Sequence, residues 1–102
     1  MPNVEDIREV LKDVRDPELM IDIINLGLVY EITPRADDRI VDVEMTLTSP
    51  GCPAGPQILS DVHRAILQGF PEVEDVNVKL VWIPFWNPDM MSEEAKDELG
   101  IF

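Results

Sequence analysis

The stretch V-D-V-E-M-T-L-T at residues 41–48 alternates apolar and polar side chains, and this alternation decides the predicted fold class. Its four apolar residues occupy every second position, as in a strand that buries one face against a core. The stretch L-V-Y-E-I-T at residues 28–33 alternates in the same way. Because a short segment from Pro34 to Asp38 turns the chain between the two stretches, the sequence predicts a β-hairpin.

A first helix is predicted before this hairpin. Asn3 can cap it, and apolar residues recur at helical spacing as far as Val14. We expect the helix to stop around residues 15–17, because the residue before a proline is disfavoured in the α region. The following I-D-I-I-N-L-G is interpreted as a short helical turn that Gly27 closes.

Two further helices and a third strand are predicted after the hairpin. Pro56 suits the first turn of a second helix, and Pro71 ends that helix. Residues 76–82 alternate again, which predicts a third strand with one buried apolar face. Ser92 can cap a last helix, and Gly100 can end it.

The predicted element order is helix, strand, strand, helix, strand, helix. This order predicts an α/β (α+β) two-layer sandwich, in which helices cover one face of a small mixed sheet. A chain of 102 residues is long enough for a single modest core but too short for two. Residues 1–102 are therefore expected to form one domain.

Composition and charge exclude several classes of function. Asp and Glu number 21 against 8 Lys and Arg, which gives a formal net charge of −13. Nucleic-acid binding is disfavoured because phosphate contacts need clustered Lys or Arg, whereas basic protein partners are favoured. No stretch reaches the roughly 20 apolar residues of a membrane span, and the acidic N-terminus differs from a secretory signal. We expect a cytoplasmic protein that binds no nucleic acid and no membrane.

The only cysteine lies in a proline-rich loop directly after the second predicted strand. Pro53 restricts Cys52 to extended conformations. If the second helix starts near Gly55 or Pro56, the sulfur lies close to a helix N-terminus, where unpaired N–H groups favour the thiolate. Cys52 is then a better nucleophile or metal ligand than an ordinary thiol. The alternative is a small apolar residue packed under a turn.

A catalytic dyad and a complete metal site are both disfavoured. His63, the only histidine, lies ~10 Å along the helix axis from the predicted helix start at about 1.5 Å per residue, which is too far for a dyad with Cys52. One thiolate cannot hold an iron–sulfur cluster alone, since such clusters normally take about four protein ligands. Further ligands must come from a second copy, a partner, a small thiol, or carboxylates such as Asp16, Glu18 and Asp61.

Large apolar residues crowd the segment I-P-F-W-N-P near the C-terminus and the residues that follow it. Two prolines make this segment irregular. Phe85, Trp86 and Met90 indicate a partner-binding or dimerising surface, and the alternative is that they pack in the core.

Four motifs together resemble the SufT-like and PaaD-like iron–sulfur assembly family, formerly a domain of unknown function. They are D-P-E-L at 16–19, N-L-G-L-V-Y-E-I at 25–32, T-x-T-x-x-G-C-P at 46–53 and W-N-P-D-M-M-S-E-E-A-K-D-E-L-G at 86–100. They occur in the family's order over nearly the whole chain, so the resemblance is specific although each motif alone is weak.

The resemblance implies a fold similar to the C-terminal domain of NifU-type scaffolds. It also implies a role in maturing iron–sulfur proteins or, in the PaaD branch, in assembling a ring-modifying oxygenase. The family's functional cysteine corresponds to Cys52. The other residues that fall on the family's motifs are Thr46, Thr48 and Gly51 in the loop and Asp16 and Glu18 near the N-terminus. The chain lacks the cysteine-bearing C-terminal segment expected of a PaaD-type protein, which favours general maturation.

The leading hypothesis is a non-enzymatic accessory factor that transiently holds an iron–sulfur cluster through Cys52 and transfers it to client apoproteins. Iron–sulfur assembly proteins and clients are the expected partners, and a homodimer or a partner supplies the remaining ligands. The alternative is a metal-free adaptor that docks clients, or a PaaD-like oxygenase subunit, onto the assembly machinery. An enzyme is disfavoured because Cys52 lacks a base.

Overall fold

The computed structural model describes residues 1–48, 51 and 53–100. Its elements confirm the predicted α/β class. In chain order they are α1 (Val4–Leu11), β1 (Arg15–Asp16), β2 (Ile21–Asp22), β3 (Val29–Arg35), β4 (Ile40–Met45), α2 (Gly55–Gly69), β5 (Asp75–Leu80), a short 3₁₀-helix (Pro88–Met90) and α3 (Glu93–Leu99). In this part of the chain, no helix is both long and apolar enough to cross a membrane.

Helix α1 begins as predicted but ends earlier. The side chain of Asn3 accepts the backbone N–H of Asp6 at 2.8 Å, which confirms the cap. The expected end around residues 15–17 is wrong, because α1 ends at Leu11. The backbone N–H of Val14 donates to the Leu11 carbonyl in a tight turn, and the Val14 carbonyl accepts from the next segment.

A small hairpin that the sequence did not predict follows α1. Strands β1 and β2 pair antiparallel, with Asp16 opposite Ile21. The helical turn expected from Ile21 is therefore wrong at its start, where the chain is extended. Gly27 closes the following turn with φ +77°, in the left-handed region that glycine adopts readily.

The main sheet has the strand order β3-β4-β5. β3 and β4 pair antiparallel, which confirms the predicted hairpin. β4 and β5 pair parallel, and α2 makes the crossover between them. The sheet is therefore mixed, as predicted. A β-bulge at Tyr30 interrupts the alternation in β3, so that Leu28 and Val29 are both buried.

One core lies between this sheet and the helices. α1 packs on β3 and α2, and α2 packs on β5. The apolar side chains of β4 are fully buried on this side of the sheet. The fully buried helical residues of the same core are Ile7, Leu11, Ile58, Val62 and Ile66.

Long-range hydrogen bonds join the C-terminal segment to the N-L-G-L-V-Y motif. Trp86 Nε1–H donates to the Leu26 carbonyl at 2.7 Å, and the Tyr30 hydroxyl donates to the Pro84 carbonyl at 2.8 Å. The backbone N–H of Ser92 donates to the Asn25 carbonyl at 2.8 Å. Ser92 also caps α3 as predicted, since its hydroxyl accepts the N–H of Ala95.

Candidate functional site

The T-x-T-x-x-G-C-P motif spans the connection from β4 to α2. Cys52, the predicted metal ligand, lies outside the described residues, so its role stays a prediction. Thr48 is half-buried, and Gly51 is exposed. α2 begins at Gly55, which confirms the predicted start of this helix.

The N-terminus of α2, which follows the loop, has neither a side-chain cap nor an acidic residue in its first turn. Its N-cap residue is Ala54, whose side chain makes no capping hydrogen bond. The first N–H groups of a helix have no intrahelical partner, and the helix dipole adds partial positive charge there. A negative group beside this helix start is therefore stabilised.

Thr46 opens the motif and is the buried polar residue that sequence periodicity did not predict. Its position in the alternation placed it on a solvated face, yet it is fully buried. Its backbone N–H donates to the Leu28 carbonyl at 2.8 Å. Among the described residues its side-chain hydroxyl makes no hydrogen bond of ordinary length, although an interaction with the Tyr30 side chain opposes the rise in the pKa of Tyr30. The Thr46 hydroxyl is therefore a buried polar group that the described part of the fold satisfies at most weakly.

The two acidic residues of the D-P-E-L motif, Asp16 and Glu18, differ in burial. Asp16 is only 1% exposed, and its Oδ1 accepts the backbone N–H of Glu18 at 2.8 Å and that of Leu19 at 3.4 Å. Asp16 thus stabilises the turn between β1 and β2. The Glu18 side chain is exposed. Their predicted place in a cofactor site stays a prediction.

A complete metal site is not found among the residues that the structure describes. Within residues 1–48, 51 and 53–100, no three His, Asp or Glu side chains come together as a group that could hold a metal ion. His63, for which no catalytic role was predicted, has its Nε2 3.4 Å from Asp75 Oδ1, beside the start of β5.

The predicted partner-binding residues differ in how tightly the fold holds them. Phe85 is 69% exposed. Trp86 is half-buried and is held by its hydrogen bond to Leu26. The Sδ of Met90 lies 3.6 Å from the Tyr30 hydroxyl, and burial raises the pKa of Tyr30. The structure therefore gives Trp86 and Met90 a packing role beside their predicted partner role.

Sequence reasoning missed Ile83, which is 83% exposed and is the most exposed large apolar side chain among the described residues. Its neighbour Pro84 was the available signal, since a proline turns the chain away from the sheet. Ile83 borders an open groove of about 590 Å³. The groove is lined by Gly27, Val29, Tyr30, Glu31, Glu44, Val81, Ile83, Pro84 and Met90.

Comparisons with known proteins agree with this architecture. A solved structure from Bacillus anthracis, described as a domain of unknown function DUF59, superposes with a TM-score of 0.90 at 43% identity and covers 96% of this chain and 92% of its own. The Fe-S protein maturation auxiliary factor SufT of Staphylococcus aureus is 52% identical over 88 residues, which are 86% of this chain and 98% of the relative.

Two further relatives have names that refer to iron–sulfur proteins or clusters. The Fe-S protein maturation auxiliary factor YitW of Bacillus subtilis is 48% identical over 97 residues, with 95% of this chain and 93% of the relative covered. The iron-sulfur cluster carrier protein of Deinococcus radiodurans is 39% identical over 69 residues, which are 68% of this chain but only 19% of that longer relative.

The family resemblance inferred from the motifs is confirmed. Residues 4–80 match the family described as iron-sulfur cluster assembly protein, and this match includes the acidic turn, the hairpin, the Cys52 loop and β5. The chain therefore belongs to the iron–sulfur cluster assembly protein family.

Proposed function

We propose that this chain is a non-enzymatic accessory factor in iron–sulfur protein maturation, which receives a cluster as cargo through Cys52 and passes it to client apoproteins. The observation that carries the proposal is the length of the match to the maturation factor SufT. The match covers 98% of that relative and 86% of this chain, so it extends over nearly the whole of a protein of similar size.

The start of α2 supports Cys52 as the group that contacts the cargo. Cys52 precedes Gly55 by three residues in the sequence, and the described helix start lacks a side-chain cap. Partial positive charge at a helix N-terminus favours thiolate over thiol, and the thiolate is the form that binds iron.

The composition of the chain supports transient binding. The sequence holds one cysteine and one histidine, whereas an iron–sulfur cluster normally takes about four protein ligands. The remaining ligands then come from a client, a second copy or a small thiol. A cluster that is held by one protein thiolate can leave by ligand exchange, which is the property that a transfer factor needs.

The surface supports protein partners. The net charge of −13 favours basic partners, and the exposed Ile83 and Phe85 offer an apolar contact. We propose assembly proteins and client apoproteins as these partners. No catalytic turnover is proposed, because His63 lies beside Asp75 and the sequence holds no second histidine to act as a base. A cytoplasmic location stays a prediction from the sequence.

The second candidate function is a metal-free adaptor. The observation that favours it is the same exposed pair, Ile83 and Phe85, next to the groove over β3 and β4. An adaptor would use this surface to hold a client near the assembly machinery, and Cys52 would not contact metal.

Anaerobic reconstitution with iron and sulfide separates the two functions. We expect a visible-absorbing species in the wild-type chain, well below one cluster per chain and labile to a chelator, because the site is incomplete. Cys52→Ala should remain colourless, whereas Ser60→Ala, an exposed position on α2, should behave as wild type. An absorbing species of equal intensity in Cys52→Ala would contradict the role of Cys52. A colourless wild-type chain that still binds clients would support the adaptor.

A further inference from the structure

The outer edge of β5 is unpaired in the part of the chain that the structure describes. The order β3-β4-β5 leaves β3 and β5 as edge strands. β3 carries Pro34 and the bulge at Tyr30, and both features hinder pairing with another strand. β5 keeps a regular register with β4 from Asp75 to Leu80 and contains no proline.

The backbone of β5 alternates between its neighbour β4 and the open edge. The N–H of Val81 donates to the Met45 carbonyl at 2.8 Å, and Met45 is opposite Leu80 in the register. Val81 therefore directs its N–H towards β4. Because successive residues of a strand direct their backbone groups to opposite edges, Val76, Val78 and Leu80 direct their N–H and C=O groups away from β4. In agreement, the N–H of Val76 donates to the side chain of Asp75 at 2.9 Å.

One face of α2 lies along this edge. The Asp75 Oδ1 that accepts the Val76 N–H is therefore at the outer edge, and His63 Nε2 is 3.4 Å from the same oxygen. Leu59 and Leu67 stand four residues before and after His63, so they share its helix face. Both are half-buried.

The core side of β5 also carries apolar residues. Val78 and Leu80 alternate with exposed residues and lie on the core side of the sheet, yet both are only half-buried. We call Leu59, Leu67, Val78 and Leu80 the edge strip. An apolar strip beside unpaired backbone groups is the surface that an added strand would cover.

We propose that a second copy of this chain adds its own β5 to this edge, antiparallel about a two-fold axis at Asn77. The charges of the strand fit this occupant. Pairing about Asn77 places Asp75 opposite Lys79 of the partner subunit, and the symmetry repeats this ion pair. It also places the two edge strips side by side.

Other registers lose this complementarity. A shift by one residue is excluded, because it would bring side chains from opposite faces of the sheet together. Pairing about Val78 instead would put Lys79 opposite Asn77 of the partner subunit and leave Asp75 without the lysine. The bond from Val76 to Asp75 would be exchanged for a backbone hydrogen bond, which frees the carboxylate for the ion pair.

Charge exchange between two variants tests the proposed register. By analytical ultracentrifugation at about 0.15 M salt, which screens the net repulsion between the acidic copies, we expect wild-type chains to dimerise. Asp75→Lys and Lys79→Asp should each be monomeric, because like charges then oppose one another twice. An equimolar mixture should dimerise, since each mixed pair restores two opposite-charge contacts. Asp37→Lys, an equal charge change in the β3–β4 turn, should leave dimerisation intact.

The mixture gives the decisive outcome. A monomeric mixture, or single variants that dimerise as wild type, would overturn the proposal. Each variant is first shown to be folded by circular dichroism, and both positions are exposed, so a change in assembly is not a change in folding.

A cross-link supplies a second test that does not depend on charge. In the proposed pairing, Asn77 lies opposite Asn77 of the partner subunit in a non-hydrogen-bonded pair. The Cα atoms of such a pair are about 4.5 Å apart. This separation lies within the range of about 4.4–6.8 Å that a disulfide spans. In a Cys52→Ser background, Asn77→Cys should oxidise to a covalent dimer faster than Asp37→Cys does. Equal rates would contradict the pairing. Cys52 takes no part in this pairing, so a failure of the pairing would leave the proposed role of Cys52 untouched.

Discussion

Replacing Gly27 with alanine is expected to lower the free energy of unfolding by about 3 kcal/mol, the sum of backbone strain and overpacking. Gly27 has φ +77°, which an alanine adopts only with strain. A Cβ at this position would also overlap the carbonyl oxygen of Met90. The clash involves backbone, so relief requires the C-terminal segment to shift. Urea denaturation followed by circular dichroism measures the change.

Two other glycines allow the cost of backbone strain to be measured separately from the cost of the clash with Met90. Gly100 has φ +72° but no described atom within 4 Å of a built Cβ, so Gly100→Ala tests strain alone and should cost about 1–2 kcal/mol. Gly51 has no positive φ in the left-handed region and no described atom within 4 Å of a built Cβ, so Gly51→Ala should change stability by less than about 0.5 kcal/mol. If Gly27→Ala costs no more than Gly100→Ala, the close contact with Met90 does not hold the segment in place.

The thiol of Cys52 is expected to react with iodoacetamide severalfold faster in the folded chain than in a peptide of the same loop sequence at neutral pH. The α2 N-terminus should hold the pKa of this thiol below its ordinary value, because the helix dipole stabilises the thiolate. Mass spectrometry of quenched samples gives both rates.

A charge placed in the first turn of α2 tests the cause. Gln57→Glu keeps the shape of the side chain but adds a negative charge near the helix start, so it should slow the alkylation. Ser60→Glu adds the same charge further along α2 and should slow the reaction less. A thiol that reacts only after unfolding in urea would identify Cys52 as a packing residue.

Local sequence patterns predicted the larger elements of this fold. The alternation at residues 41–48 and the caps Asn3 and Ser92 act over short distances, so the hairpin and helix starts could be predicted. β1 and β2 were missed because a strand of two residues shows no periodicity. The strand order could not be predicted, because no local pattern shows that β5 pairs with β4 after the α2 crossover.

The surroundings of the candidate site could be predicted from the sequence only in part, for a similar reason. The motif around Cys52 and the start of α2 are local features of the sequence, so both could be predicted from it. The hydrogen bond from Trp86 to Leu26 joins residues 60 positions apart, so no local pattern signalled it. The burial of Thr46 and the turn-forming role of Asp16 likewise arise from tertiary contacts that override alternation and charge.

Cluster transfer tests the central claim most directly. The chain is loaded anaerobically, freed of unbound iron, and mixed with an apo-enzyme that needs a [4Fe–4S] cluster, with a chelator present to capture any iron released to solution. We predict that the wild-type chain restores the enzyme's activity while its own visible absorbance falls, and that Cys52→Ala restores no more than a mixture without the factor. If Cys52→Ala supports the same recovery as the wild-type chain, the claim that the cluster passes through this thiolate is contradicted.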